Sequence, residues 1–179
     1  MEEAIRLMKA GEYTPAINAF KKIIEKDSSN GWAYRYCAMC YMKNSEEIIT
    51  FIVGTDHMDL MMAKENMEKA NELQPSTPEI ISDMGVIESK IGNQEKAIEH
   101  FTNSLKINPE NHTTLANRAY CLIKKGLFKE SLDDMENAIR LSFGEVHKYK
   151  EAAEWLKTQI NLENPEKEKI AFKKDREYK

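Results

Sequence analysis

The chain has 179 residues, of which 41% are hydrophobic and 31% are charged, and its net charge is -4. These values fit one globular unit of ordinary size with a continuous core. No apolar run approaches the roughly 18–20 residues of a membrane-spanning helix, and the interspersed lysines and glutamates argue against a nucleic-acid surface. Three cysteines and an amphipathic start without secretory-signal features favour a reducing compartment, and we predict the cytoplasm.

Residues 1–30 have the pattern of a helical hairpin whose first helix is short. Ala16 and Phe20 lie one helical turn apart, and Gly11 marks a turn before them. Small and aromatic residues at this spacing form one apolar face of a helix. We therefore predict a truncated repeat unit over residues 1–30.

Residues 31–77 are predicted to form a complete hairpin. Apolar side chains follow the spacing i, i+3, i+4, i+7 in its first half, and its second half has a matching stripe before Pro75. The first stripe is Tyr34, Cys37, Ala38 and Tyr41, and the second is Ala63, Met67 and Ala70.

Extra residues lie inside this second unit. Ala16 and Ala63 are 47 residues apart, whereas Ala63 and Ala97 are 34 apart, which leaves an excess of 13 residues around positions 45–59. We predict an added helical turn and a loop there. Its apolar side chains would pack against the hairpin, and the alternative is an exposed apolar patch. They are Ile48, Ile49, Phe51, Ile52 and Val53.

Residues 78–111 and 112–145 match each other at a fixed offset of 34 residues. Such a period indicates stacked copies of one unit that is too small to bury its own apolar face. Gly92 and Gly126 separate the two helices of each unit, as helix ends require. The aligned pairs include Gly85 with Ala119, Ala97 with Ser131, and Phe101 with Met135.

Residues 146–179 keep only half of the pattern. Tyr149, Ala153 and Leu156 continue the first-helix spacing, and Asn164-Pro165 suits the start of another helix. We predict a degenerate repeat over residues 146–179 that ends in a capping helix with a solvated outer face.

These residues resemble the tetratricopeptide repeat (TPR), whose pattern has a small residue in the first helix, Ala-x3-Phe in the second, and Pro at the exit. The corresponding residues here are Gly85 or Ala119, then Ala97 with Phe101 or Ser131 with Met135, then Pro109, which Phe143 replaces in the later unit. The resemblance implies an all-α solenoid of tandem antiparallel helix pairs with a C-terminal capping helix. It covers residues 1–179 as one TPR-like domain.

Cysteine and histidine offer little sign of catalysis or metal binding. Cys37-x-x-Cys40 lies inside a predicted helix, so we expect ordinary buried thiols. No two histidines are three or four residues apart, and we expect surface histidines. We predict no enzyme activity, cofactor or metal site, since the sequence has no phosphate loop, dinucleotide fingerprint or nucleophile elbow.

The function that the resemblance implies is binding of an extended or amphipathic segment of a partner protein on the concave face, which the first helices line. A homotypic assembly protein, self-associating through the repeats or residues 45–59, is the alternative. Aromatic residues and arginine dominate binding hot spots, and lysines on a rim favour an acidic segment. The predicted binding residues are Trp32, Arg35, Tyr36, Met39, Lys43, Asp83, Val86, Lys90, Asn117, Tyr120 and Lys124.

Some TPR domains grip the C-terminal carboxylates of Hsp70 or Hsp90 with lysine, asparagine and arginine on three successive first helices. In this chain only Asn117 fits that pattern, and Glu151 stands where the resemblance implies an arginine. Because charge-assisted hydrogen bonds to a carboxylate would be missing, we predict no such clamp. The positions compared are Ser82, Val86, Asn117, His147 and Glu151.

Overall fold

The computed structural model describes residues 1–47, 55–142 and 146–163. Nine α-helices account for most of these described residues. They are α1 (Glu2–Lys9), α2 (Tyr13–Lys26), α3 (Gly31–Glu47), α4 (Thr55–Leu73), α5 (Pro78–Ile91), α6 (Gln94–Ile107), α7 (His112–Lys124), α8 (Phe128–Leu141) and α9 (Val146–Glu163).

Consecutive helices pack in pairs, and the contacts divide the chain into two compact units. Residues 1–109 form the first unit, which contains the hairpins α1–α2, α3–α4 and α5–α6. Residues 110–179 form the second, in which α7 packs on α8 and α8 packs on α9. The prediction of an all-α fold built from tandem helical hairpins is therefore confirmed.

Glycines with positive φ make the tight turns inside two of the hairpins. Gly92 has a φ of 100° and follows α5, and Gly126 has a φ of 74° and follows α7. Residues other than glycine rarely adopt this left-handed backbone conformation. The chain can therefore reverse within two or three residues and begin α6 and α8 beside the preceding helix.

The core of the first unit follows the predicted stripes. Ala16, Phe20, Cys37, Ala63 and Met67 are all fully buried. The hairpin α5–α6 is packed so closely at Gly85 that a Cβ added there would lie 2.7 Å from Phe101 Cε1. This contact explains why the smallest residue stands opposite a large aromatic ring.

The core of the second unit uses the same repeat positions with different residues. Ala119 and Met135 are fully buried where the earlier repeat has Gly85 and Phe101. Ser131 is also buried, and its hydroxyl donates a 2.9 Å hydrogen bond to the Ala119 carbonyl oxygen, which satisfies a polar group inside the hairpin.

Residues around the predicted insertion lengthen both helices of their hairpin. Ser45 lies within α3, which has 17 residues, and Asp59 lies within α4, which has 19, whereas α5 and α6 have 14 each. The predicted loop and the apolar residues 48–53 lie outside the described residues, as does the predicted capping helix at 165–179.

Among the described helices, we find none that is both long enough and apolar enough to cross a membrane.

Candidate partner-binding surface

Trp32 is a large aromatic side chain held at the start of α3. The Asn30 Oδ1 atom accepts a 3.1 Å hydrogen bond from the Ala33 backbone N–H and so caps this helix. Ala33 points into the protein and is fully buried, whereas Trp32 is 39% exposed. The first turn of α3 therefore presents the indole to solvent from a fixed backbone position.

Two further rings connect Trp32 to the core. The ring centroids of Trp32 and Tyr36 are 6.3 Å apart, and those of Tyr36 and Phe20 are 5.8 Å apart. Phe20 is fully buried in α2. Aromatic contacts of this kind stabilise beyond the area that they bury, so the indole rests on a rigid support.

Arg35 lies beside these rings and joins two repeats. Its Cζ atom is 5.4 Å from the Trp32 ring centroid and 5.9 Å from that of Tyr36, which is cation–π geometry. Its Nε atom donates a 2.8 Å hydrogen bond to Asp83 Oδ2 on α5. Trp32, Arg35, Tyr36 and Asp83 are called the Trp32 cluster below.

The Asp83 carboxylate is the acidic member of this cluster. Burial raises its pKa above the ordinary value of 3.8, although the Arg35 guanidinium acts in the opposite direction. The charge of Glu79, one helical turn earlier on α5, adds to the increase. Asp83 therefore lies beside one guanidinium and within electrostatic range of a second carboxylate.

The other predicted binding residues of the first unit have mixed positions. Met39 and Val86 are half-buried and pack against the core, so part of the predicted stripe supports the fold. Lys43 and Lys90 are exposed, and each already interacts with other residues of the chain.

Three predicted residues lie on α7 in the second unit. Tyr120 is 41% exposed, Lys124 is exposed and Asn117 is half-buried. Arg118, which was not among the predicted residues, makes two 2.7 Å hydrogen bonds to the Asp134 carboxylate. This pair ties α7 to α8 beside Asn117.

The cysteines fit a structural role, as predicted. Cys37, Cys40 and Cys121 are free thiols and all are buried. Burial raises the pKa of Cys37 to about 11 and that of Cys40 to about 12, so neither is a thiolate near neutral pH. Within the described residues, no group of three or more histidine, cysteine or acidic side chains could hold a metal ion.

The expectation of surface histidines is wrong for two positions. His147 is exposed, but His100 and His112 are half-buried. His112 lies under Tyr149, whose hydroxyl is 3.5 Å from the His112 Nδ1 atom. Packing of the helices partly buries both side chains. The spacing of residues in the sequence alone did not predict this burial.

Comparison with known proteins agrees with this architecture. The tetratricopeptide repeat family model matches residues 79–111. A thermophilic TPR protein of Thermus thermophilus has a similar structure, with a TM-score of 0.74, 16% identity, and coverage of 83% of this chain and 77% of that one. The chain therefore contains a tetratricopeptide repeat. Its fold is an all-α TPR solenoid.

Two more solved structures and one curated relative are similar to it. MamA AMB-1 gives a TM-score of 0.67 at 18% identity, covering 89% of this chain and 80% of that one. YrrB gives 0.61 at 19% identity, covering 90% and 83%. Hsp70-Hsp90 organizing protein 1 of Glycine max is 26% identical over 132 residues, which is 73% of this chain but 19% of that protein.

Proposed function

We propose that this TPR protein is a non-catalytic interaction module that binds an extended or amphipathic segment of a partner protein. The segment would bind on the first helices of the hairpins, which include α3, α5 and α7. The observation that carries the proposal is the exposed indole of Trp32 on a rigid aromatic and arginine support. Binding hot spots are enriched in tryptophan, tyrosine and arginine held in this way.

Tyr120 provides a second exposed aromatic side chain on a first helix, in the second unit. YrrB is a TPR protein with an unusual peptide-binding site, and its likeness to this chain supports a peptide ligand here. For the present chain, Trp32 and Tyr120 are the aromatic side chains that we propose as contact points. We expect no cofactor or metal to take part.

Affinity capture with the tagged 179-residue chain tests this proposal. The informative variant is the double substitution Trp32→Ala with Tyr120→Ala, because both side chains are exposed and their truncation leaves the core intact. Met39 is less suitable, since it packs against the core. The matched control is Trp155→Ala, which removes a similarly exposed tryptophan from α9.

Quantitative mass spectrometry should show that the control captures the same partners as the wild-type chain. The double variant should capture less of those partners. Circular dichroism and melting curves must first show that all three proteins are folded. Equal recovery of the same partners with the double variant would exclude the first-helix surface and favour residues 45–59.

Self-association is the alternative function. Light scattering over a range of protein concentrations separates the two, because a binding module for other proteins should keep a constant monomer mass. A stable dimer or larger species that the double variant disrupts would replace our proposal with homotypic assembly.

A further inference from the structure

Carboxylates outnumber cations among the charged residues linked to Trp32, which are Arg35, Asp83 and Glu79. The positive charge of Arg35 is matched by Asp83, with which it shares a 2.8 Å hydrogen bond. Glu79 lies one turn before Asp83, is exposed, and acts electrostatically on it. The net charge of Arg35, Asp83 and Glu79 together is therefore negative.

The unit that contains the Trp32 cluster has the same sign of charge. Residues 1–109 include 12 lysines and arginines against 17 aspartates and glutamates, a net charge of -5. Residues 110–179 include 14 basic and 13 acidic residues, a net charge of +1. Long-range attraction at the first unit therefore favours a positively charged partner.

Indole rings are the best cation–π acceptors among protein side chains. The Trp32 cluster already holds one guanidinium over this ring, at 5.4 Å from its centroid, while 39% of Trp32 stays exposed. A lysine or arginine of a partner would find the exposed part of the indole and would be attracted by the negative charge of Glu79 on α5.

We propose that the Trp32 cluster, together with Glu79, binds a lysine or arginine side chain in a basic segment of the partner protein. This inference rests on the proposed function and assigns the chemistry of its ligand. It replaces the acidic segment that the lysine positions favoured, because Lys43 and Lys90 already interact within the chain. An acidic segment would meet Asp83 and Glu79 with like charge, which disfavours binding.

Indole N–H signals in NMR spectra test this at single-residue resolution. The chain has two tryptophans, so Trp32 and Trp155 give two signals that a Trp32→Phe variant assigns. The probes are three short peptides of serine and leucine that contain lysine, glutamate or glutamine at the same alternating positions. The lysine peptide should shift the Trp32 signal and leave the Trp155 signal unchanged.

Fluorescence anisotropy of the labelled lysine peptide then measures the contribution of each group. Glu79→Gln should weaken its binding about two- to fivefold, the range of an exposed ion pair. Trp32→Ala should weaken it at least as much, through loss of the cation–π contact. Trp155→Ala should bind like the wild type, and added salt should weaken binding by every folded variant.

Three results would overturn the inference. The glutamate peptide could shift the Trp32 signal as strongly as the lysine peptide does, or the glutamine peptide could bind as tightly. Absence of any shift with the lysine peptide at millimolar concentration would also overturn it. If captured partners still depend on Trp32 and Tyr120, the proposed function stands while the assignment of a basic segment falls.

Discussion

The Arg35 Nε atom donates a 2.8 Å hydrogen bond to Asp83 Oδ2, and this contact connects α3 to α5. The side chains of Arg35 and Asp83 are 15% and 20% exposed, so water screens the pair only in part. One ion pair thereby joins two successive repeats and holds the guanidinium beside Trp32. The binding surface and the packing of the repeats share these residues.

Asp83→Ala should lower the free energy of unfolding by about 1–3 kcal/mol, because it leaves the half-buried Arg35 guanidinium without its carboxylate. Denaturant unfolding measures this loss. The matched control is Glu3→Ala, which breaks an exposed i,i+3 pair with Arg6 and should cost far less, because water screens that pair. The double variant Arg35→Ala with Asp83→Ala should cost less than the sum of the single changes. Simple additivity would show that the pair contributes no coupling.

Gly85→Ala should destabilise the fold by about 1–3 kcal/mol, since overpacking forces a rigid ring to move. The new Cβ would lie 2.7 Å from Phe101 Cε1. The second unit has Ala119 and Met135 at the corresponding positions, so adding Phe101→Met should recover part of the loss. Melting temperatures of the wild type and the two variants check this, and a Gly85→Ala chain as stable as wild type would contradict the contact.

Stability should fall as the pH drops below about 6.5, because burial lowers the pKa of His100 from its ordinary value of 6.5. The unfolded chain then takes up a proton at a higher pH than the folded chain does, and protonation favours unfolding. Nearby glutamates partly oppose this shift and nearby lysines add to it.

Urea unfolding between about pH 7.5 and 5.5 measures this effect. His100→Gln should remove part of the pH dependence over that range. The matched control is His147→Gln, which replaces a histidine whose side chain is 90% exposed. Equal slopes for the wild type and His100→Gln would contradict the assignment.

A peptide ending in Glu-Glu-Val-Asp should bind no more tightly than the same peptide with an amidated C-terminus. The Glu151 side chain is 71% exposed and would repel a carboxylate, Val86 is apolar, and neither supplies a charge-assisted hydrogen bond. Calorimetric titration checks this expectation. Low-micromolar affinity that depends on the free carboxylate would show that the chain has a clamp of another composition.

The hairpin fold could be predicted from the sequence because the 34-residue period repeats without interruption over residues 78–145. Pairs such as Gly92 and Gly126 mark the turns, and both have the positive φ that their position requires. The irregular residues between Ser45 and Asp59 were harder to assign. Apolar β-branched residues there suit several conformations, so spacing alone did not define the helix ends at Glu47 and Thr55.

The candidate surface was predicted less completely than the fold. Helical spacing correctly left Trp32 and Tyr120 outside the core, and both are exposed. The Arg35–Asp83 pair was not predicted from the sequence. Its partners are 48 residues apart, and this separation differs from the regular 34-residue period because the second unit contains extra residues. Met39, which was predicted to be free for a ligand, is half-buried and packs against the core. The spacing of residues along one helix does not show how neighbouring helices pack over it.

Hydrogen exchange with and without a captured partner tests the central claim most directly, because it reports which backbone amides become protected when the partner binds. We predict added protection in peptides from the first helices, above all residues 31–43 around Trp32, with α9 unchanged. Trp32→Ala should reduce that protection at the same partner concentration. Protection confined to residues 44–59 or to α9 would contradict binding at the first-helix surface.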